Sequence, residues 1–552
     1  MPFRFRVKTD NAGTSSNVQF TLPLRNIYTY NFHIDWGDET DQDVTTNTNI
    51  THTYSEIGEY DISITESAEG GFPTIYFNAG GDMEKVINLL EWGTNRWSSI
   101  EQSFFGCLHM IISATDHATA HTHHVQIADY AFAACRELVE LPAIDLSEVI
   151  TANYAWSSNY LMTTFSCITL GKCVYFNNAW QGSADHTVLA SFANVNISSG
   201  QYFNSTWQNN TEMTSFPLLD FSSAISLQET WSGCTGLTSF PLINTLNVTL
   251  LNSAWAFCSG LTSFPLINTA NVTDFRMAWR ACTGITSFPA INTSKGTNFF
   301  ETWVEMLALI SFPVIDTSKG TDFTYCFYHW LSARTFPQLD FSSAITMTYA
   351  WGDGGFTSFP SLIFPVAITF IDTWNGCTSL HELDIHCPKM TDGTRMLSGV
   401  TLTPRSYSTL LKNLSIENTS SNVPFHGGNS YYLKAYKPYR DVLVARGWTI
   451  TDGGMIDDYR IFIDKHKSGI YDISVLLKGF NDVELLDSET NESINVSEVL
   501  VNTSGYIVVY GKGYQKTDAK RIYLLAGRWH KQTGISGFVF AGTTAEGIYV
   551  RG

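Results

Sequence analysis

The chain has 552 residues, a formal net charge of −19 and only 15 % charged side chains, against about 25 % in an average soluble domain. This acidic balance excludes recognition by phosphate neutralisation, which needs clustered Lys and Arg. No run of 18 apolar residues exists to cross a membrane as a helix. Hydrophobic content of 44 % suffices for packed cores, and the length points to roughly two to four domains.

The N-terminus, Met1-Pro-Phe-Arg-Phe-Arg-Val-Lys8, alternates apolar and basic residues. It reads as a β-strand and lacks the apolar core of a secretory signal. Further strand-like runs are Val18–Leu24, Tyr28–Trp36 and Tyr60–Thr65, separated by turn chemistry such as Trp36-Gly-Asp-Glu-Thr40. Residues 1–76 are therefore expected to form a small β-sandwich. The pieces Ile34-Asp-Trp-Gly-Asp38, Thr51-His-Thr-Tyr54 and Gly58-Glu-Tyr-Asp-Ile-Ser-Ile64 resemble the polycystic-kidney-disease (PKD) domain. That resemblance implies an immunoglobulin-like spacer without catalytic residues.

Residues 77–453 are dominated by a repeat. Trp207, Trp231, Trp255, Trp279 and Trp303 follow one another at 24-residue steps, Phe327 and Trp351 continue the series, and Trp374 comes after 23. Working backwards, Trp180, Trp156, Phe132 and Phe104 extend it to twelve anchors, each preceded by a small residue. A second series runs alongside: Phe216-Pro217, Phe240-Pro241, Phe264-Pro265, Phe288-Pro289, Phe312-Pro313, Phe336-Pro337 and Phe359-Pro360. A fixed period in this range signals rungs that cannot fold alone and must stack as a solenoid. Each rung is expected to hold a short strand around Leu-Thr-Ser-Phe, ended by the Pro that lacks an N–H. The irregular steps, 28 before Phe132 and 27 before Trp207, mark insertions at 116–124 and 184–188.

The unit Asp129-Tyr-Ala-Phe-Ala-Ala-Cys-Arg-Glu-Leu138 and the stretch Asn271–Pro289 resemble BspA-like leucine-rich repeats, with Trp standing where that family usually has Phe. The resemblance spans about 280 residues and implies a curved β-solenoid used in adhesion and in protein or glycan binding. Tyr407–Leu414 and Lys434–Arg446 carry partial helical spacing, and Phe425–Tyr432 with Gly447–Gly454 resemble the closing segment of phage and marine bacterial repeat proteins. A cap is expected there, because the last rung would otherwise expose its core. Residues 454–552 lose the repeat and read as a separate β-domain. The fold class is thus mainly β: a sandwich, a leucine-rich-repeat solenoid and a C-terminal β-domain.

The candidate chemistry is sparse. His121 and His123 lie on one side of an extended segment, beside Asp116, His117 and His124. Trimeric phage fibres hold transition metals with such a His-x-His pair from each chain, so these two are the metal candidates, against the plainer reading of an exposed polar loop. Asp35, Asp38, Glu39, Asp41 and Asp43 could hold Ca²⁺ through clustered oxygens, or form a solvated loop. The Trp series could stack sugars, but its period and Phe substitutions favour a core position. Tyr431, Tyr432, Tyr436 and Tyr439 are less periodic and stand as surface candidates. Cys107, Cys135, Cys234, Cys258, Cys282 and Cys377 each follow an anchor by three and read as reduced, buried fillers, although a parallel ladder of about 4.7–4.9 Å keeps neighbours within disulfide reach. The sequons at Asn247 and Asn271 belong to the repeat.

No nucleophile-elbow, Walker or zincin motif occurs, so no catalytic residue and no cofactor are assigned. The expected function is that of a non-enzymatic phage virion protein: a tail or head fibre, or a receptor-binding component, assembled in the host cytoplasm. A bacterial cell-surface adhesin is the alternative, and a glycan-degrading enzyme a distant third. Expected partners are other virion proteins or the chain's own copies, a homotrimer among the options, together with a host surface glycan or protein. Nucleic acid and membrane insertion are not expected.

Overall fold

The structure, a computed structural model, describes residues 1–456 apart from 117–120, 142–143, 166–168, 183–190 and 193–194. Beyond 456 it describes the backbone of short strands between 459 and 551. The insertion at 184–188, His117 and the C-terminal run Gly537–Phe540 lie outside the described residues. The fold is mainly β, with two α-helices among the described residues. The chain divides into two compact units, Met1–Ser332 and Ala333–Gly552.

The first unit opens with β1 (Phe3–Lys8), in which Phe3, Phe5 and Val7 are fully buried while the basic residues between them point outward. It is followed by β2 (Gln19–Leu22), β3 (Phe32–Asp35), β4 (Asp41–Val44), β5 (Ile50–Thr53) and β6 (Glu59–Glu66). Pairing crosses residue 76: β7 (Val86–Glu91) lies antiparallel to β1, and β8 (Ile111–Ile112) parallel to β7. One sheet therefore runs β4-β3-β6-β1-β7-β8, and β2 pairs with β5 in a second.

After β8 the chain climbs in parallel rungs. Single-residue bridges join Ile127, Thr151, Tyr175, Tyr202, Ser226, Leu250, Asp274, Asn298 and Asp322 in succession, always five residues before an anchor. The expected pairing around Leu-Thr-Ser-Phe is shorter: Thr164–Phe165 pairs parallel with Ser191–Phe192, Ser287 bridges Ser311, and Thr238, Thr262 and Thr286 donate to the Thr carbonyl one rung back. The stronger pairing sits in the anchor turn. Residues two before each anchor, and two after each anchor other than Trp180, adopt the left-handed region, as at Ser253 (φ 55) and Phe257 (φ 62) around Trp255. Alternating handedness aims alternate N–H groups the same way. In the Trp231 rung, Leu227, Glu229, Trp231 and Gly233 donate to the carbonyls of Leu250, Asn252, Ala254 and Ala256 of the next rung, at 2.8–3.0 Å. The intervening N–H groups close tight turns within their own rung, as Ala254 to Leu251 and Ala256 to Ser253.

This turn drives each anchor ring inward. Trp207, Trp231, Trp255, Trp279 and Trp303 are all 0 % exposed. Their rings stack from rung to rung at 5.2–6.1 Å and within 10° of parallel. The Phe of each Phe-Pro pair forms a second column at 5.7–6.0 Å and meets the indoles edge to face.

The second unit repeats the pattern around Trp351 and Trp374, which stack at 5.2 Å. One more anchor place follows, filled by Leu397: Trp374 N donates to Met396 O, and Leu397 N donates onward to His426 O at 3.1 Å. The outermost donors thus meet the carbonyls of Pro424–His426. Helix α1 (Pro404–Glu417) begins at the N-cap Thr403, which accepts from Ser406 N, with Pro404 in the first turn. Its face Tyr407, Leu410, Leu411 and Leu414 is buried. Helix α2 (Lys437–Ala445) is tied to it through Asp452, which accepts from both Tyr407 Oη and Arg440 Nε at 2.9 Å. The C-terminal strands form an antiparallel sheet of four and another of three.

Candidate functional site

The sequence candidates resolve largely into scaffold. In the acidic turn, Asp38 accepts from Thr40 and pairs with His52 Nε2 at 2.8 Å, and Asp43 pairs with His33 Nδ1 at 2.9 Å. Asp35 accepts from Gly37 N. The His52 ring lies flat on Trp36 at 4.7 Å and edge-on to Tyr54, whose hydroxyl donates to Trp36 O. Burial pushes the Asp38 carboxyl up, but hydrogen bonds from Thr40 and His52 outweigh it and hold the carboxyl below its ordinary value. These carboxylates clasp the sandwich turn.

His121 and His123 have ring centroids 5.8 Å apart, and His123 and His124 are 4.0 Å apart. The carboxylate oxygens of Asp116 accept from the backbone, from Trp92 N at 3.0 Å and Gly93 N at 2.8 Å. No cluster of three or more His, Cys, Asp or Glu suited to a metal occurs among the described residues. Of the Tyr candidates, Tyr432 is buried beneath Arg440, while Tyr431, Tyr436 and Tyr439 are half-buried. The sequon residues Asn247 and Asn271 donate to Ser222 O and Leu246 O of the preceding rung.

The cysteines do more than fill space. Five of the six Sγ atoms three residues after an anchor donate to the anchor carbonyl of the previous rung: Cys135 to Phe104, Cys234 to Trp207, Cys258 to Trp231, Cys282 to Trp255 and Cys377 to Trp351, at 3.0–3.2 Å. Asn210 Nδ2 and Trp330 Nε1 do the same for Trp180 and Trp303. Position three after the anchor is thus a donor post, and all nine described cysteines are free and buried. Burial pushes the thiols of Cys234, Cys282 and Cys377 up to about 12.

A surface that the sequence reading passed over lies on the outer side of the anchor turns between 129 and 229. Tyr130 and Tyr154 stack at 4.6 Å, and Tyr175 and Tyr202 at 5.1 Å, each pair within 5° of parallel. Tyr175 is 42 % exposed. Beside them runs a chain of amides: Asn177 Nδ2 donates to Asn153 Oδ1 at 2.9 Å, and Gln181 to Gln208, which donates on to Glu229. A narrow cleft is bounded by Trp156, Asn159, Met162, Trp180, Gln181, Gly182 and Asn210, of which Gln181 belongs to this chain of amides. Comparison with known proteins finds no family model that matches the chain and no curated protein similar to it. The signal that could have exposed this surface is local: Tyr occupies the bridge position at 175 and 202, where the later rungs carry Ser226, Leu250 and Asp274. Aromatic rings with adjoining uncharged amides suit neutral, hydroxyl-rich ligands better than phosphates.

Proposed function

We propose that the chain is a non-enzymatic structural protein of a phage virion, a fibre or receptor-binding component that displays a BspA-like leucine-rich-repeat β-solenoid behind a PKD-like sandwich. The observation carrying this reading is the rung-to-rung bridging, which brings the same position of successive repeats into a row. Rows favour ligands that are themselves repetitive, because weak contacts gain from multiplicity. The ligand on this reading is a host surface glycan, engaged by Tyr175, Tyr202 and the amides of Asn153, Asn177, Asn204 and Gln208. The test is retention of purified full chain on bacterial cells, compared with a Tyr175→Ala, Tyr202→Ala variant. Retention that falls at least about tenfold supports the assignment, the loss of roughly 1.4 kcal/mol of binding. Unchanged retention removes this surface from the receptor role.

A further inference from the structure

The polar anchor turns are not the whole surface. Immediately after each of the first five Phe-Pro pairs, one apolar side chain points to solvent: Leu218, Leu242, Leu266, Ala290 and Val314. The leucines and the valine are 69, 62, 60 and 68 % exposed. The Phe rings two positions earlier stack at 5.7–6.0 Å, so these side chains form a row at a similar pitch beside the aromatic column. Each exposed Leu carries on the order of 100 Å² of apolar surface. The row as a whole reaches the few hundred Å² at which an exposed patch on a monomer marks an interaction site.

We propose that this row is the centre of a two-fold interface between two copies of the chain. Three observations select a second copy over another partner. First, the row has the period of the rungs, and only a surface with the same pitch can interleave with every side chain of it; a second copy carries that pitch by construction. Second, residues 230–273 contain no Asp, Glu, Lys, Arg or His. With the two-fold axis between Leu242 and Leu266, this uncharged stretch meets its own copy at the centre of the contact, and Asp220 and Asp316, two residues after Leu218 and Val314, lie towards its ends. Third, exposed Ser239, Ser263 and Ser287 lie on one flank and Asn244, Asn268 and Asn292 on the other. They supply the neutral polar rim that a standard interface of about 800 Å² per partner carries around its apolar centre. A contact of one row on the same row is isologous, which makes the assembly a two-fold pair. The inference does not rest on the virion or glycan reading, since it uses neither the Tyr nor the amide surface.

The test is sedimentation velocity of the full chain from about 1 to 50 μM, a range that brackets a micromolar association. The wild type sediments as a dimer of the 61.6 kDa chain. The Leu242→Glu, Leu266→Glu variant sediments as a monomer with unchanged far-UV circular dichroism. Leu246→Glu, at an exposed leucine off the row, stays dimeric. A monomeric wild type gives the face to a different partner and overturns the proposal. So does a trimer, a double variant that remains dimeric, or a control that dissociates equally.

Discussion

Replacing Trp255 by Phe and by Ala separates the two things an indole does in the column. Trp255 is 0 % exposed and stacks on Trp231 at 5.2 Å and Trp279 at 5.7 Å, with Phe240 and Phe264 edge-on at 5.4 and 4.9 Å. Its Nε1 is buried with no hydrogen-bond partner. Phe keeps the ring stacking and gives up about 40 Å² of apolar contact, near 1 kcal/mol. It also removes an unsatisfied buried donor, which costs about 1–3 kcal/mol to hold. The two nearly offset, so Trp255→Phe is expected within about 1 kcal/mol of wild type. The chain itself places Phe at anchor 327, stacked on Trp303 at 5.7 Å. Trp255→Ala loses the ring contacts and opens a cavity, at about 3–5 kcal/mol. Because each rung contacts only its neighbours, a break in mid-stack also divides the unfolding into separate steps. Urea titration followed by far-UV circular dichroism reads both variants. A Phe variant as damaged as the Ala variant refutes the argument, since it would mean that Nε1 contributes to the native state.

Three more outcomes follow from the same geometry. Lys85, 0 % exposed, donates to the carbonyls of Ser15, Ser16 and Gln19 and to Ser15 Oγ, so Lys85→Met is expected to lower stability by about 3–5 kcal/mol in thermal unfolding. Burial pushes the neighbouring Asp82 carboxyl up, but donors from Ser15 and Thr21 and the Lys85 charge prevail and hold it below its ordinary value. Asp82 therefore stabilises the fold above about pH 4 and loses this contribution as pH falls through its lower native value, so the gap in Tm between wild type and Asp82→Asn narrows from pH 5 towards pH 2.5. With the described thiols buried and shifted upwards, thiol titration of native protein at pH 8 is expected to label no more than one of the ten cysteines, and all ten in denaturant.

Legibility followed how strongly one physical demand determined residue type. β1 spans Phe3–Lys8 as its alternation predicts, and the Trp anchors are core residues because burial explains a large ring that recurs at a near-constant period and exchanges only with Phe. β4, with the sequence Asp-Gln-Asp-Val, escaped notice because it does not alternate, and β5, Ile-Thr-His-Thr, was reached only through the resemblance carried by Thr51-His-Thr-Tyr54. Leu397 was missed as an anchor because a non-aromatic residue fills the place. Several left-handed positions are occupied by Glu229, Met277, Glu301 and Tyr325, residues with no turn signature, and the amides of Glu229, Met277 and Glu301 are held by the following rung's carbonyls. For the acidic turn and Asp116 the sequence left a ligand site and a plain polar loop both open, because carboxylates that hold backbone or His partners look the same in sequence as those that hold metals. The Tyr and amide rows emerge only when residues 24 or 27 apart are brought together.

Residue-resolved amide hydrogen exchange tests the rung architecture most directly. The amides of Trp207, Trp231, Trp255, Trp279 and Trp303 each donate to the next rung at 2.8–3.0 Å, whereas those of Arg276 and Phe300, off the leucine row, donate to the side chains of Asp274 and Asn298 in their own turns. Stacked rungs require the five anchor amides to be the slowest to exchange and to exchange together, with the two side-chain-bonded amides faster by orders of magnitude. Anchor amides that exchange as fast as those two would contradict the stack.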